Sequence, residues 1–351
     1  MQSAVSGVRS LLCGGAALLL LATCDGRTQP TTGSASGADG TGVTAAAPAD
    51  PLPSWRDGAS KASILGFLAA VTDPSSSSYL APAHRVAAFD NDGTLWVEKP
   101  FPPEQSFAFD RVRTLAGSHS EWRNTQPFQA ILAGDQARLA RMSHDEEVTL
   151  VGATHTGMTP PAFRALTRTW LDTWTNPRFG KHPGELVYQP MLELLAEVRR
   201  RGFAEYLCSG DTIEFLRAFA PEKYGIPEEH IVGTGLLTVV RDTPRPALEL
   251  EPGIVPPYNT FTGKPVNVQR MIGRMPTIVV GNEDGDLPLL ELSAASNGPR
   301  LLMLIHHDDA EREFAYDKGA ERALRTAREH GWTVVSMKRD FATVFPPAPA
   351  R

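Results

Sequence analysis

Arg85-Val86-Ala87-Ala88-Phe89-Asp90-Asn91-Asp92-Gly93-Thr94-Leu95-Trp96 is the stretch on which the reading of this chain turns. A short apolar run ends abruptly in two carboxylates one residue apart, and Gly93 and Thr94 follow at once. The run predicts a buried strand that delivers Asp90 and Asp92 to a tight turn, with no side chain at Gly93 to block a ligand. Alternate residues of an extended chain point the same way, so the two acids can share one site. Two carboxylates held together repel, which calls for a cation, a shared proton, or both.

Working outward, Ile64, Phe67, Leu68 and Val71 fall at helical spacing and place a helix before the strand. After Trp96 no strong strand appears until about 203. Phe163, Leu166, Trp170, Leu171 and Trp174 mark an amphipathic helix opened by Thr159-Pro160-Pro161. Shorter helical pieces are expected near 105–115, 127–142 and 145–152. From 190 strand and helix alternate again. Met191, Leu194, Leu195 and Val198 form a helix face between Pro190 and Gly202, and Phe203 to Cys208 is a strand. Asp211-Thr212-Ile213-Glu214 has the form of a capping box, so a helix is expected just after Ser209-Gly210. Residues 231–251 suggest a hairpin turning around Arg241-Asp242-Thr243-Pro244, and a helix follows Lys264. Further strands are expected at Ile278-Val279-Val280, Leu301 to Ile305 and Trp332 to Ser336, with a helix near Asp286 and a charged helix after Ile305. The fold class is therefore α/β, a Rossmann-like parallel sheet with helices on both faces. A mostly α-helical insertion at 99–185 would form a cap on a core made of 55–98 and 186–345.

The formal net charge is −6 and no Lys/Arg cluster stands out, which argues against a nucleic-acid partner. Residues 1–24 read as a targeting signal: Arg9 is the only charge before the apolar stretch Leu11 to Ala22, which is short for a bilayer span. Leu21-Ala22-Thr23-Cys24 resembles a bacterial lipobox with Thr23 as a departure, so export to the cell envelope or periplasm with a lipid anchor on Cys24 is expected. An ordinary cleaved secretory signal is the alternative. Residues 25–54, rich in Gly, Ala, Ser, Thr and Pro, read as a flexible linker. Of three cysteines, Cys13 lies in the signal and Cys24 at its end, which leaves Cys208 as an inert buried thiol.

In open parallel sheets ligands bind beyond the carboxyl ends of the strands. Four polar sets sit at such ends here: Asp90 and Asp92; Ser209; Lys264; and Asn282, Asp284 and Asp286. They offer a nucleophile, an acid, a hydroxyl, a cation and metal-binding oxygens, the parts that phosphoryl transfer through an aspartyl-phosphate needs.

In these motifs the chain resembles the haloacid dehalogenase superfamily, on its phosphoserine-phosphatase-like branch. Phe89-Asp90-Asn91-Asp92-Gly93-Thr94 is similar to that family's first motif. Ser209-Gly210-Asp211 is similar to the second, Lys264 to the third, and Gly281-Asn282-Glu283-Asp284-Gly285-Asp286-Leu287 to the fourth. The resemblance covers roughly residues 55 to 345 and implies a Mg²⁺-dependent phosphatase acting on a small phosphorylated substrate. It implies that Asp90 is the nucleophile, Asp92 the general acid and base, and Lys264 the neutraliser of phosphoryl charge. It further implies that Asn91, Gly93, Ser209 and Gly210 cradle the phosphoryl oxygens. Asp90, the Asp92 backbone carbonyl, Asn282 and Asp286 would hold Mg²⁺, with Asp284 a further candidate. Many relatives carry Asp where Asn282 stands, so weaker metal binding is expected. A phosphotransferase of the same fold and a non-catalytic envelope lipoprotein that binds a phosphorylated ligand are the alternatives.

Outside these motifs, His155 is a candidate substrate contact against a structural loop histidine. Glu98 is a reader of a substrate amine or a solvated hinge charge. His306-His307-Asp308-Asp309 is expected to cap the next helix rather than bind a metal.

Overall fold

The computed structural model describes residues 50–347. The signal, the lipobox-like Cys24 and most of the expected linker lie outside the described residues. Packing begins earlier than the sequence suggests: Leu52 is fully buried, and Lys61 pairs with Asp50 at 2.5 Å. Among the described residues no helix is long and apolar enough to cross a membrane.

Seven strands form one sheet in the order β4-β3-β2-β1-β5-β6-β7. They are β1 (Val86–Phe89), β2 (Ala204–Thr212), β3 (Ile231–Arg241), β4 (Ala247–Val255), β5 (Ile278–Gly281), β6 (Leu301–His306) and β7 (Thr333–Ser336). Every pairing is parallel except β3 with β4, a hairpin whose outer strand closes the edge. The order reverses between β1 and β5, so the crevice at their carboxyl ends is the natural ligand site.

The central strands are continuous apolar runs because helices cover both faces. Period-two alternation sorts their side chains into two cores. Ala87, Phe89, Ile278, Val280, Leu301, Met303 and Ile305 face one core with Ile64, Leu68, Met191 and Leu194. Ala88, Val279, Leu302 and Leu304 face the other with Leu287, Leu290, Ala323 and Leu324. Covering helices span Ala59–Thr72 and Gln189–Arg200 on the first face, and Leu287–Ala294 and Glu321–Glu329 on the second.

Between β1 and β2 the chain is helical, with no strand. Ahead of Gln189–Arg200 its longer helices are Pro103–Leu115, His144–Thr154 and Pro160–Leu171. Ser143 and Glu146 close a capping box on the second, and the Thr159 hydroxyl accepts from the Ala162 N–H on the third. Ala108, Phe109, Val112, Trp122, Phe128, Ile131 and Leu150 give this region a small hydrophobic cluster of its own.

Three local expectations change. The second strand runs on through Ser209, Gly210 and Asp211 to Thr212, and the next helix, Ile213–Arg217, starts without a side-chain cap. Asp211 bonds Asn91 and Glu214 pairs with Arg164, so tertiary partners displace the capping box. The hairpin is longer than expected, and its first strand also pairs with β2 inside the sheet. The charged helix after β6 begins only at Glu321, so His306-His307-Asp308-Asp309 does not cap it.

Candidate active site

The turn after β1 is fixed by its own backbone. The Asp90 N–H donates to the Val280 carbonyl across the switch point at 2.9 Å. The Asn91 carbonyl accepts from the N–H groups of Thr94, Leu95 and Trp96, curling the chain back on itself. This curl needs φ of 70° at Gly93, a left-handed conformation that glycine takes without steric cost. A Cβ there would fall 2.1 Å from Asn282 Nδ2 and 2.8 Å from Glu98 Oε1, so the glycine also permits a close approach.

Lys264, in the first turn of the helix Gly263–Met271, reaches the end of β1. Its ammonium lies 2.6 Å from Asp90 Oδ1 and 2.5 Å from Asp286 Oδ1, and all three groups are buried. Burial works against the lysine charge, but Asp286 and Asp90 outweigh it and hold the ammonium well above its ordinary value. Burial pushes Asp90 up to about 8, with Lys264 pulling the other way. The ion pair is the geometry that decides here: a lysine with two carboxylates at hydrogen-bond distance keeps its proton.

Asp286 Oδ2 accepts from the N–H groups of Asn282 and Glu283 at 2.9 and 3.2 Å. With Oδ1 on Lys264, both its oxygens are engaged. Asp286 therefore positions Lys264 and the loop after β5. Asp284, the further candidate, turns away and accepts from the Ala323 N–H at 2.7 Å, in the first turn of the helix Glu321–Glu329.

Asp92 lines the same cavity with different partners. The Trp96 indole donates to its Oδ1 at 2.6 Å. Burial raises its carboxyl well above the usual range, and the charges of Asp211 and Asp90 add to this. Asp211 is itself pushed up to about 7, by burial first and by Glu104 second. The two carboxylates thus take different environments, Asp90 beside a lysine and Asp92 beside an indole and a third acid.

A cavity of about 620 Å³ opens above them. Asp90, Asp92, Ser209, Gly210 and Lys264 line its floor. Asn91 and Gly93 do not. The Asn91 amide donates to Asp211 Oδ2 and accepts from the Tyr224 hydroxyl, both at 3.0 Å, and is fully buried. Its side chain ties the turn to β2 rather than cradling a ligand. Asn259, missed in the sequence, braces the second motif by donating to the carbonyls of Ser209 and Val232 at 2.7 and 2.9 Å.

The helices between β1 and β2 supply Glu104 and His155 to one wall. Glu104 accepts from the Thr212 N–H and hydroxyl, and burial pushes it up to about 7. The single Thr154 hydroxyl proton goes to the Leu150 carbonyl at 2.7 Å, so Thr154 accepts from His155 Nδ1. His155 Nε2 is then a lone pair, 3.2 Å from Glu104 Oε1 and without a hydrogen-bond partner. Burial pushes this imidazole down to about 3, and Arg111 adds to the effect, so it is neutral. His155 borders the cavity wall but is itself fully buried.

Oxygen donors suited to a hard cation face one another near Asp90. The Thr94 hydroxyl bridges Asn282 Oδ1 at 3.1 Å and Asp90 Oδ2 at 3.5 Å. Asn282 Nδ2 donates to Glu98 Oε1 at 3.2 Å, and the same oxygen accepts from the Tyr316 hydroxyl. Glu98 is buried, not a solvated hinge charge. Glu283 also lines the cavity, and burial, with Glu98 second, pushes it up to about 8. Among the described residues no three carboxylate, imidazole or thiolate side chains converge as a metal cage. A cation here would need the Asn282 oxygen or backbone carbonyls to complete its shell.

His307 is a further residue whose place the sequence did not show. Its Nε2 donates to the Gly93 carbonyl at 2.7 Å, and its Nδ1 meets Glu313 at 3.0 Å. It braces the turn after β1. Cys208 is buried, and burial pushes its thiol up to about 12, so it is inert.

A sequence profile described as haloacid dehalogenase-like hydrolase matches residues 87–291, more than half of the chain. The chain belongs to the haloacid dehalogenase-like hydrolases. No functionally curated protein matches its sequence. Among solved structures, a conserved protein of unknown function from Anaerococcus prevotii has a TM-score of 0.52 at 15% identity. That likeness covers 81% of this chain and 94% of the other, and it shows a shared fold. A protein of unknown function from Bordetella pertussis scores 0.47 at 17% identity, covering 72% of this chain and 98% of that one. A phosphoserine phosphohydrolase-like protein from Francisella tularensis scores 0.41 at 14%, covering 73% and 95%. Neither of these two carries weight for the function of this hydrolase.

Proposed function

We propose that this hydrolase is a phosphomonoesterase that works through a phosphoryl group carried on Asp90, on a small substrate held in the 620 Å³ cavity. The observation that carries the reading is the pair of environments at the end of β1. Asp90 is a buried carboxylate held at 2.6 Å by Lys264, and Asp92, two residues on, lies under the Trp96 indole in surroundings that favour its protonated form.

In the first half-reaction an Asp90 oxygen forms the bond to phosphorus, and the ester oxygen leaves with its electron pair. Asp92 hands its proton to that oxygen, which departs as an alcohol. In the second, Asp92 takes a proton from water as the water oxygen attacks phosphorus. The Asp90–phosphorus bond breaks and inorganic phosphate leaves. Lys264 holds Asp90 in line and offsets charge on the phosphoryl oxygens. Ser209 and Gly210 border the same floor and contribute donors.

Family likeness implies Mg²⁺, and the all-oxygen donor set with an excess of carboxylates fits it. Asp90 and Asn282 would hold it, with backbone oxygen of Asp92 as a further donor. When bound it supplies positive charge that lets a carboxylate approach a phosphate. Export and lipid anchoring on Cys24 stay part of the proposal on sequence grounds.

Release of inorganic phosphate from p-nitrophenyl phosphate in the presence of Mg²⁺ tests the reading. Turnover by the wild-type protein that disappears in Asp90→Asn is the expected result. No turnover across a broad panel of phosphomonoesters would refute it.

A further inference from the structure

An amide is a weaker and more ambiguous cation donor than a carboxylate. It is neutral, and only one of its two ends can face a cation. Asn282 has both disadvantages, yet its orientation is fixed. Its nitrogen end donates to Glu98 Oε1 at 3.2 Å, and its oxygen end lies on the Thr94 hydroxyl that also faces Asp90 Oδ2. Glu98 is held in turn. The Tyr316 hydroxyl donates to it, and the Lys99 ammonium lies 3.4 Å away while sitting 4.4 Å above the Tyr316 ring. Glu98 is 6% exposed and borders the cavity beside Asp90. Gly93 makes room for the pair, because a Cβ there would collide with both Asn282 Nδ2 and Glu98 Oε1.

We propose that Glu98 is a positioning residue for the cation: with Asn282 it does jointly what a single carboxylate does elsewhere. Its carboxylate turns the Asn282 oxygen toward Asp90, and it supplies next door the negative charge the amide lacks. Groups that orient a metal donor are worth about tenfold to a hundredfold in metal affinity when removed. The inference rests on the Mg²⁺ reading of the site, and a binding measurement separates the two.

The test is Mg²⁺ binding to the whole protein, followed by isothermal titration calorimetry and repeated with Mn²⁺. The variants are Glu98→Gln, Asn282→Asp and the two combined, which together form a double-mutant cycle. Glu98→Gln is expected to weaken binding about tenfold. The combined variant moves the carboxylate from 98 to 282 and is expected to recover affinity to within about threefold of wild type, a rescue that a merely structural Glu98 would not give. Glu98→Gln at wild-type affinity, or a combined variant as weak as Glu98→Gln, would overturn the inference. Should Glu98→Gln fail to fold, Tyr316→Phe carries the test: it frees Glu98 and should weaken binding about threefold, and unchanged affinity would overturn the inference. A wild-type protein that binds neither cation refutes the Mg²⁺ reading and this inference with it, a result distinct from an indifferent Glu98→Gln.

Discussion

At the scale of residues, the site depends on charges that cannot stand alone. Lys264 is buried between Asp90 and Asp286, so removing it leaves two carboxylates uncompensated. Breaking a buried pair in this way costs about 3–5 kcal/mol. Lys264→Met should lose activity and lower the unfolding free energy by that amount, read as a lower midpoint in urea; an unchanged midpoint would mean that the three groups do not share charge as described. Asp92→Asn keeps the size of the side chain and deletes the proton carrier. Phosphate release should fall by about 10² to 10⁴, with the first half-reaction less affected for substrates whose leaving group is already acidic. The sequence made Asp90, Asp92, Lys264 and Ser209 legible because each stands at a strand end or a helix start. It hid Glu104, Asn259 and His307, whose bonds to Thr212, to Ser209 and Val232, and to Gly93 join segments that no local pattern connects. Only the folded sheet brings His307 beneath Gly93. Asn91 misled for the same reason: its partners Asp211 and Tyr224 come from elements the motif does not contain.

At the scale of elements, short contacts tie the helical region to the sheet. Glu104, on the helix Pro103–Leu115, accepts from Thr212 at the end of β2. Its carboxyl is raised by burial from 4.5 to about 7. An acid raised in the folded state binds more protons folded than unfolded over that window, so stability falls as pH rises from about 4.5 to about 7 and is flat above. Glu104→Gln removes that loss while its amide oxygen still accepts from Thr212. Its melting temperature relative to wild type should therefore rise by on the order of 2 °C between pH 5 and pH 8, measured by calorimetry. A relative melting temperature that does not move with pH would contradict the assignment. The turn after β1 gives a second test. Gly93→Ala places a Cβ against Asn282 at a φ of 70°. The turn must shift, and a displacement near 1 Å at a reacting group costs about 10² in rate, so turnover should drop by that factor.

The central strands were legible because they are unbroken apolar runs, and helix starts at Pro160 and near Gln189 carried proline and capping signals. The extension of β2 through Asp211 was not. Its local Asp-Thr-Ile-Glu pattern favours a helix cap, and the tertiary partners Asn91 and Arg164 override it. Local preference of this kind is worth about 1 kcal/mol, less than a buried hydrogen bond to a charged group and an ion pair together.

At the scale of the molecule, a parallel sheet with a reversal between β1 and β5 collects the four motifs from positions spread over 197 residues, Asp90 to Asp286. The packed region begins before the sequence-derived edge of the linker. A chain starting at Ser54 lacks Leu52, which is fully buried, and Asp50, which pairs with Lys61. Loss of a buried leucine costs about 2–5 kcal/mol, so that chain should melt several degrees below one starting at Ala49. Equal melting temperatures would show that the first packed residues contribute nothing. Composition could not reveal this edge, because Pro51, Pro53 and Ser54 look like linker and only Leu52 and Trp55 carry the apolar signal.

The central claim is that a phosphoryl group passes through Asp90. It is tested most directly by acid-quenching the Asp92→Asn protein during reaction with a phosphomonoester it turns over and mapping the phosphorylated peptide by mass spectrometry. The account predicts phosphate on Asp90, longer-lived than in wild type because the water-activating group is missing, and absent from Asp90→Asn. Phosphate on another residue, or product formation with no acyl-phosphate at any time point, would contradict it.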